Sequence, residues 1–229
     1  MRNALSLLFI AGLAFLLFVI TAGLDFGAAP MLVGQGINQA SPGQVGAANI
    51  VTSVVLGYRA LDTLGELAIL FAAATAGGLM LGRPRADARH DPEAGFILLA
   101  AADLLFPLLL VVGLFIIVHG HLTPGGGFQG GVILAAAFFL PLLARPGTHF
   151  NHPVFAVVEG LARAAFIVIG LLGLARGGEF LMPLLGQGAM GSLLSAGTLP
   201  LLYIAVGLKV GTELAGLMAH IAEYEAVDP

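Results

Sequence analysis

Six long apolar runs constrain this chain more than anything else in it. They cover about 4–22, 61–82, 96–118, 127–144, 154–175 and 197–221. Each is near or above the ~18–20 residues that a helix needs to cross the hydrocarbon of a bilayer. A soluble domain of this size would need far more polar surface: 59% of the residues are hydrophobic, 10% are charged, and the mean hydropathy is +1.01. The sequence therefore predicts an all-α polytopic membrane protein with about six transmembrane helices. One arginine precedes the first run, as in a signal peptide, but the run is longer than a usual signal core and is read as a retained helix. The chain has no cysteine, which excludes disulfides, thiolate zinc sites and cysteine-ligated iron–sulfur clusters. A net charge of −4 gives no basic surface for nucleic acid.

The segments between the runs suggest an organisation. Residues 23–45, rich in Gly, Pro, Asn and Gln, are expected to be irregular. Residues 46–58 (GAANIVTSVVLGY) read as a short apolar helix, too short to span. It either lies in the interface, the preferred reading, or packs into the bundle as a half-helix. The most charged stretch, 83–95 (RPRADARHDPEAG), marks a linker between a two-helix unit, 1–82, and a four-helix unit, 96–229. With the N-terminus inside, the inner segments hold Arg2, Arg83, Arg85, Arg89 and Arg145, and the outer ones hold Arg59 and Arg176. That asymmetry predicts both termini on the cytoplasmic side of a cell membrane. The acidic tail, Glu223, Glu225 and Asp228, does not overturn it.

Charges inside spans are costly, roughly 2.5–3.5 kcal/mol each at the bilayer centre, and so call for a reason. Asp62 and Glu66 open the second run at i and i+4. Asp62 suits a helix start, whereas Glu66 lies a turn deeper with no basic neighbour four residues on, and reads as a protonatable relay. Asp103 precedes Pro107 by four residues. Proline cannot donate to the Asp103 carbonyl, so a kink there would leave a carbonyl and a carboxylate side by side, suited to a water or a cation, or to pairing with another subunit. Glu159 and Arg163 form an i,i+4 pair read as a structural ion pair. Lys209 and Glu213 form another, deep in the last run, with His220 seven residues on.

Small residues mark close helix packing. Gly207, Gly211, Ala215 and Ala219 recur every four residues. Gly126 with Gly130, and Gly127 with Gly131, notch the start of the fourth run. The segment before it, His119 to Gly131, reads HGHLTPGGGFQGG. An HxH pair with no third ligand nearby does not make a metal site. The glycines lack the P-loop lysine and follow no strand, so they do not cradle phosphate. The remaining reading is a tight turn at the membrane boundary. Pro124 fixes it, Thr123 is placed to cap the next helix, and His119 is a candidate proton-handling group.

HGHLTPGGGFQGG and, in order after it, GSLLSAGTLPLLYIAVGLKVGTEL (191–214) resemble the B-type subunits of the Mrp/Mnh multisubunit sodium/proton antiporters. They are also similar to related subunits of archaeal membrane-bound hydrogenases. This resemblance covers about 96–221. YRALDTLGELAIL (58–70) resembles the small E-type subunits of such hydrogenases, and also the C-terminal end of the large, A-type antiporter subunits. There Arg59, Asp62, Thr63 and Glu66 match an RxxDTxGE pattern, which implies that they lie in or near an ion route. The resemblance implies a fused E-like and B-like membrane subunit of an antiporter or a complex-I-related respiratory assembly, with no catalytic or redox site and no cofactor of its own. Its partners would be other membrane subunits, lipid, protons and sodium. Glu66, Asp103, Lys209, Glu213 and His119, with Asp62, are the candidate ion-handling residues. The rival readings are a purely structural scaffold and a self-sufficient transporter. No inverted repeat in the sequence supports the latter.

Overall fold

A computed structural model of the chain describes residues 2–23, 31–81, 94–145, 148 and 151–223. Eight helices run through these residues: α1 (Arg2–Ala22), α2 (Leu32–Gln44), α3 (Ile50–Thr52), α4 (Ala60–Leu81), α5 (Phe96–Val118), α6 (Gly127–Ala144), α7 (His152–Gly177) and α8 (Leu199–Glu223). Between α3 and α4 the helix widens into a π turn, Ser53–Tyr58. Six helices are long and apolar enough to cross a membrane: α1 and α4 to α8. They match the six apolar runs to within a few residues. Arg83, Arg85, Arg89, Glu225 and Asp228, and most of the 83–95 linker, lie outside the described residues.

The chain forms two compact units, residues 1–37 and 38–229. In the first, every described side chain of α1 is exposed. Thr21 Oγ1 turns back to the Leu17 carbonyl at 2.8 Å, which satisfies its hydroxyl locally within an apolar helix.

The second unit is built around α6 and α8, the most enclosed of the spans. Small residues let their backbones meet. A Cβ on Gly131 would sit 2.8 Å from Val210 and 2.9 Å from the Gly207 carbonyl; one on Gly127 would meet Val206 at 2.7 Å. The other side of α6 is as tight against α5: at Gly130 a Cβ would lie 2.5 Å from Ile117 and 2.7 Å from the Gly113 carbonyl. Gly207 on α8 faces the same Ile117, and Gly211 faces the Gly131 carbonyl at 3.2 Å. Backbone approach replaces side-chain interdigitation here, the packing that favours helix association in lipid.

Two expectations are corrected. Residues 23–45 are not wholly irregular: α2 forms over LVGQGINQASPGQ with Pro42 inside it. Ser41 is the one buried residue of α2, and the helix leads into the buried Val45 and Ala47. The segment 46–58 does not lie apart in the interface. Thr52, Ser53 and Leu56 are buried in the unit, Leu56 at 1% exposure, so it is the half-helix alternative that forms. Thr63 on α4 donates to the Val55 carbonyl at 2.6 Å and holds the π turn to the next helix.

Candidate functional site

The turn after α5 is clamped by the half-helix. Asn49 caps α3 by accepting from Val51 N–H at 3.1 Å. Its side-chain amide donates to the carbonyls of Gly120 (2.8 Å) and Thr123 (2.9 Å), and its backbone N–H donates to His121 O at 3.0 Å. Thr52 Oγ1 donates to Gly120 O at 2.7 Å, and in turn accepts from the Tyr203 hydroxyl of α8 at 2.7 Å. Gly125 and Gly126 have φ of +140° and +148°, which side-chain-bearing residues rarely adopt. A Cβ at Gly126 would also strike Tyr203 at 2.5 Å. The glycine run is thus the condition for bringing the α8 tyrosine under the turn. Thr123 does not cap α6, as the sequence suggested. Its hydroxyl donates back to His119 O at 3.2 Å, and the cap position is Gly126, with no side-chain bond.

The two histidines of the turn differ. His119 stacks on Phe115 with centroids 4.1 Å apart and bonds that residue's carbonyl at 3.0 Å, tied to the end of its own helix. His121 is fully buried, with no well-aligned hydrogen bond to either ring nitrogen among the described residues and the backbone of Ser192 and Leu193 beside it. Burial pushes its pKa below the ordinary histidine value, with a smaller push from nearby His119, while the backbone of Ser192 and Leu193 opposes the shift. Sequence reasoning favoured His119; nothing in HGH distinguishes the enclosed ring.

Inside the bundle, Lys209 is 1% exposed. Its Nζ donates to Leu67 O on α4 at 2.7 Å and pairs with Glu213 one turn on. One Glu213 oxygen, Oε1, is buried without a hydrogen-bond partner among the described residues. On α7, Arg163 pairs with Glu159, and its guanidinium lies 3.9 Å from the centre of the Phe71 ring. The order of charge along α7 is acid then base; along α8 it is base then acid. His152, at the start of α7, meets His220, near the end of α8, with ring centroids 5.1 Å apart, so the two helices run antiparallel. Like charges therefore fall at like levels. Glu159 and Glu213 line one cavity of about 310 Å³, together with Thr75, Thr212, His152 and His220. Arg163 and Lys209 line a second, apolar one of about 230 Å³ against Leu67 and Phe166. The first has room for on the order of ten waters between the histidine end of α7 and α8 and the buried pair.

The remaining candidates do not join this cluster. Asp62 is exposed and paired with Arg59, three residues before it. Glu66 is exposed and lines a third cavity of about 220 Å³ with Thr63, Gln129 and Tyr203. Asp103 is largely exposed and already carries an ion pair within the chain. Arg145, just past α6, bonds both its oxygens at 2.8 Å. The two residues lie 42 positions apart, beyond any spacing argument.

The family is decided by a model that matches residues 97–216, a domain related to the MnhB subunit of Na+/H+ antiporter. The chain belongs to this MnhB-related family. An uncharacterized protein of Methanocaldococcus jannaschii is 32% identical over 227 residues, covering 87% of this chain and 86% of that one. A chain of the membrane-bound sulfane sulfur reductase, an archaeal respiratory membrane complex, superimposes with a TM-score of 0.82 at 37% identity, over 96% of this chain and 97% of its own. A chain of the Mrp complex from Dietzia sp. superimposes with a TM-score of 0.79 at 27% identity. That match covers all of this chain but only 27% of the longer Dietzia chain. MnhB-related chains thus occur both at this length and as part of a chain almost four times longer.

Proposed function

We propose that this chain is a membrane subunit of a multisubunit cation/proton antiporter or a related respiratory complex, and that it carries ions or protons to the Lys209–Glu213 pair. One observation supports this most: a buried ammonium–carboxylate pair whose carboxylate, Glu213, lines a cavity together with a second one, Glu159, and keeps one oxygen, Oε1, without a hydrogen-bond partner among the described residues. Well-packed apolar side chains in place of a buried ion pair are often neutral or stabilising by about 1–4 kcal/mol, so stability alone is a weak reason to keep the charges. In this reading a proton or cation enters between His152 and His220 and reaches Glu213. Lys209, held by the Leu67 carbonyl, gives up part of its hold on the carboxylate when the charge there is neutralised. Glu159 and Arg163 set the field around it. The histidine end faces the cytoplasm, with both termini, and the clamped turn faces outward. The chain contributes no reaction chemistry of its own.

The test is Glu213→Gln in the whole complex, reconstituted in vesicles. Cation-dependent proton exchange should fall by roughly an order of magnitude or more while the subunits still assemble. Unaltered exchange in an assembled complex would refute the relay and leave the scaffold reading.

A further inference from the structure

We infer that the α4 face around Glu66 docks a transmembrane helix of another subunit, and that this helix carries a lysine or arginine opposite Glu66. Glu66 lies six residues after Ala60, about 9 Å along α4, with Gly65 before it and an apolar run from Leu67 after it. Its side chain is exposed and has no hydrogen bond or ion pair among the described residues. A carboxylate at that depth in an apolar span, on a cavity that holds no basic side chain, is unfavourable alone and calls for a partner. The described side chains of this chain have none to give. Arg59 is committed to Asp62, Arg145 to Asp103, Arg163 to Glu159 and Lys209 to Glu213. Arg176 stands in the last turn of α7, where it suits the helix dipole. The far end of α4, Leu81, is roughly 22 Å from Glu66 along the helix.

The surface beside Glu66 also admits a helix. A Cβ on the preceding Gly65 would meet nothing within 4 Å, leaving room for a backbone to come close. Ile69, one turn on, is 72% exposed and supplies apolar contact. Thr63 and Gln129 border the cavity that Glu66 lines and offer further polar contacts. In a second copy of this chain the uncommitted arginine among the described side chains, Arg176, stands in the last turn of α7, whereas Glu66 lies six residues into α4, and this difference in depth favours a helix of a different subunit. The docking reading is separate from ion transport at Glu213, because it concerns assembly.

The test uses the intact complex, purified through a tag on this chain. A photo-crosslinking residue at position 69, on a Cys-free and otherwise unaltered chain, is expected to attach to a membrane helix of another subunit that carries Lys or Arg at a matching depth. Glu66→Lys should lower co-purification of that subunit roughly tenfold, and Glu66→Gln roughly threefold. Changing the identified basic residue to Glu should restore the Glu66→Lys complex. Crosslinks only to lipid, to a second copy of this chain or to a helix without a basic residue would overturn the proposal. So would undiminished co-purification of Glu66→Lys. If that variant does not accumulate, Glu66→Gln and the crosslink decide by the same criteria.

Discussion

Replacing the Lys209–Glu213 pair in steps separates stability from function. Lys209→Met keeps much of the side-chain shape but removes the ammonium that faces Glu213 Oε2. The other carboxylate oxygen already lacks a partner among the described residues, so an ionised Glu213 would be left with none. Breaking a buried pair this way costs about 3–5 kcal/mol, reduced if the carboxyl takes up a proton instead. Glu213→Leu strands the ammonium, with only the Leu67 carbonyl left to it, at a similar cost. The double variant Lys209→Met/Glu213→Leu leaves no buried charge at the site. It should lie within about 1 kcal/mol of the parent, or above it. The coupling between the two changes is then favourable by several kcal/mol, far more than the few tenths expected of an exposed i,i+4 pair. Thermal or denaturant unfolding of the purified complex reads the stability side, and exchange in vesicles reads the other. The double variant should assemble like the parent and exchange poorly. Instability equal to the worse single variant would refute the desolvation argument. Full exchange by the double variant would remove the pair from the transport route.

Two further outcomes follow from the packing and the turn. Gly130→Ala forces a methyl group into Ile117 and the Gly113 carbonyl, a backbone atom that cannot rotate away. A loss of about 1–3 kcal/mol is expected by the same unfolding assay, whereas Gly160→Ala, with nothing within 4 Å of the new methyl, should be neutral or slightly stabilising. His121, with its pKa held below the ordinary 6.5 by burial, binds a proton more readily unfolded than folded. Its contribution is therefore complete above pH 6.5 and is lost as the pH falls through the lower folded value. The unfolding temperature of the complex should drop between pH 7 and pH 5, and His121→Gln should shrink that drop; an unchanged slope would remove His121 as its source.

How much was legible in the sequence depended on range. The spans announce themselves by length and hydropathy alone, and Lys209 with Glu213 by an i,i+4 spacing that any helix imposes. Contacts across the fold carry no such signature. Asp103 gave a good reason to need a partner, but Arg145 is 42 residues away. Glu159 was legible as half of a local pair. That it shares a cavity with Glu213 follows only from α7 and α8 running antiparallel at a particular offset. The polar, proline-containing α2 went against local propensity, whereas 46–58 was legible as a short helix and only its burial in the unit was not. Of the two turn histidines, the one enclosed depends on which way the turn folds.

The clasp that Asn49 and Thr52 place on the turn bears on how such a chain is made and kept together. Three hydrogen bonds to the carbonyls of Gly120 and Thr123, from donors 68 to 74 residues earlier, are supplied by the segment ahead of α4. Were the chain divided between α4 and α5, those donors and the carbonyls they satisfy would belong to different polypeptides. The front segment is thus joined to the back one by contact as well as by the backbone, and a two-gene version would have to form the same clasp between separate polypeptides inside the membrane.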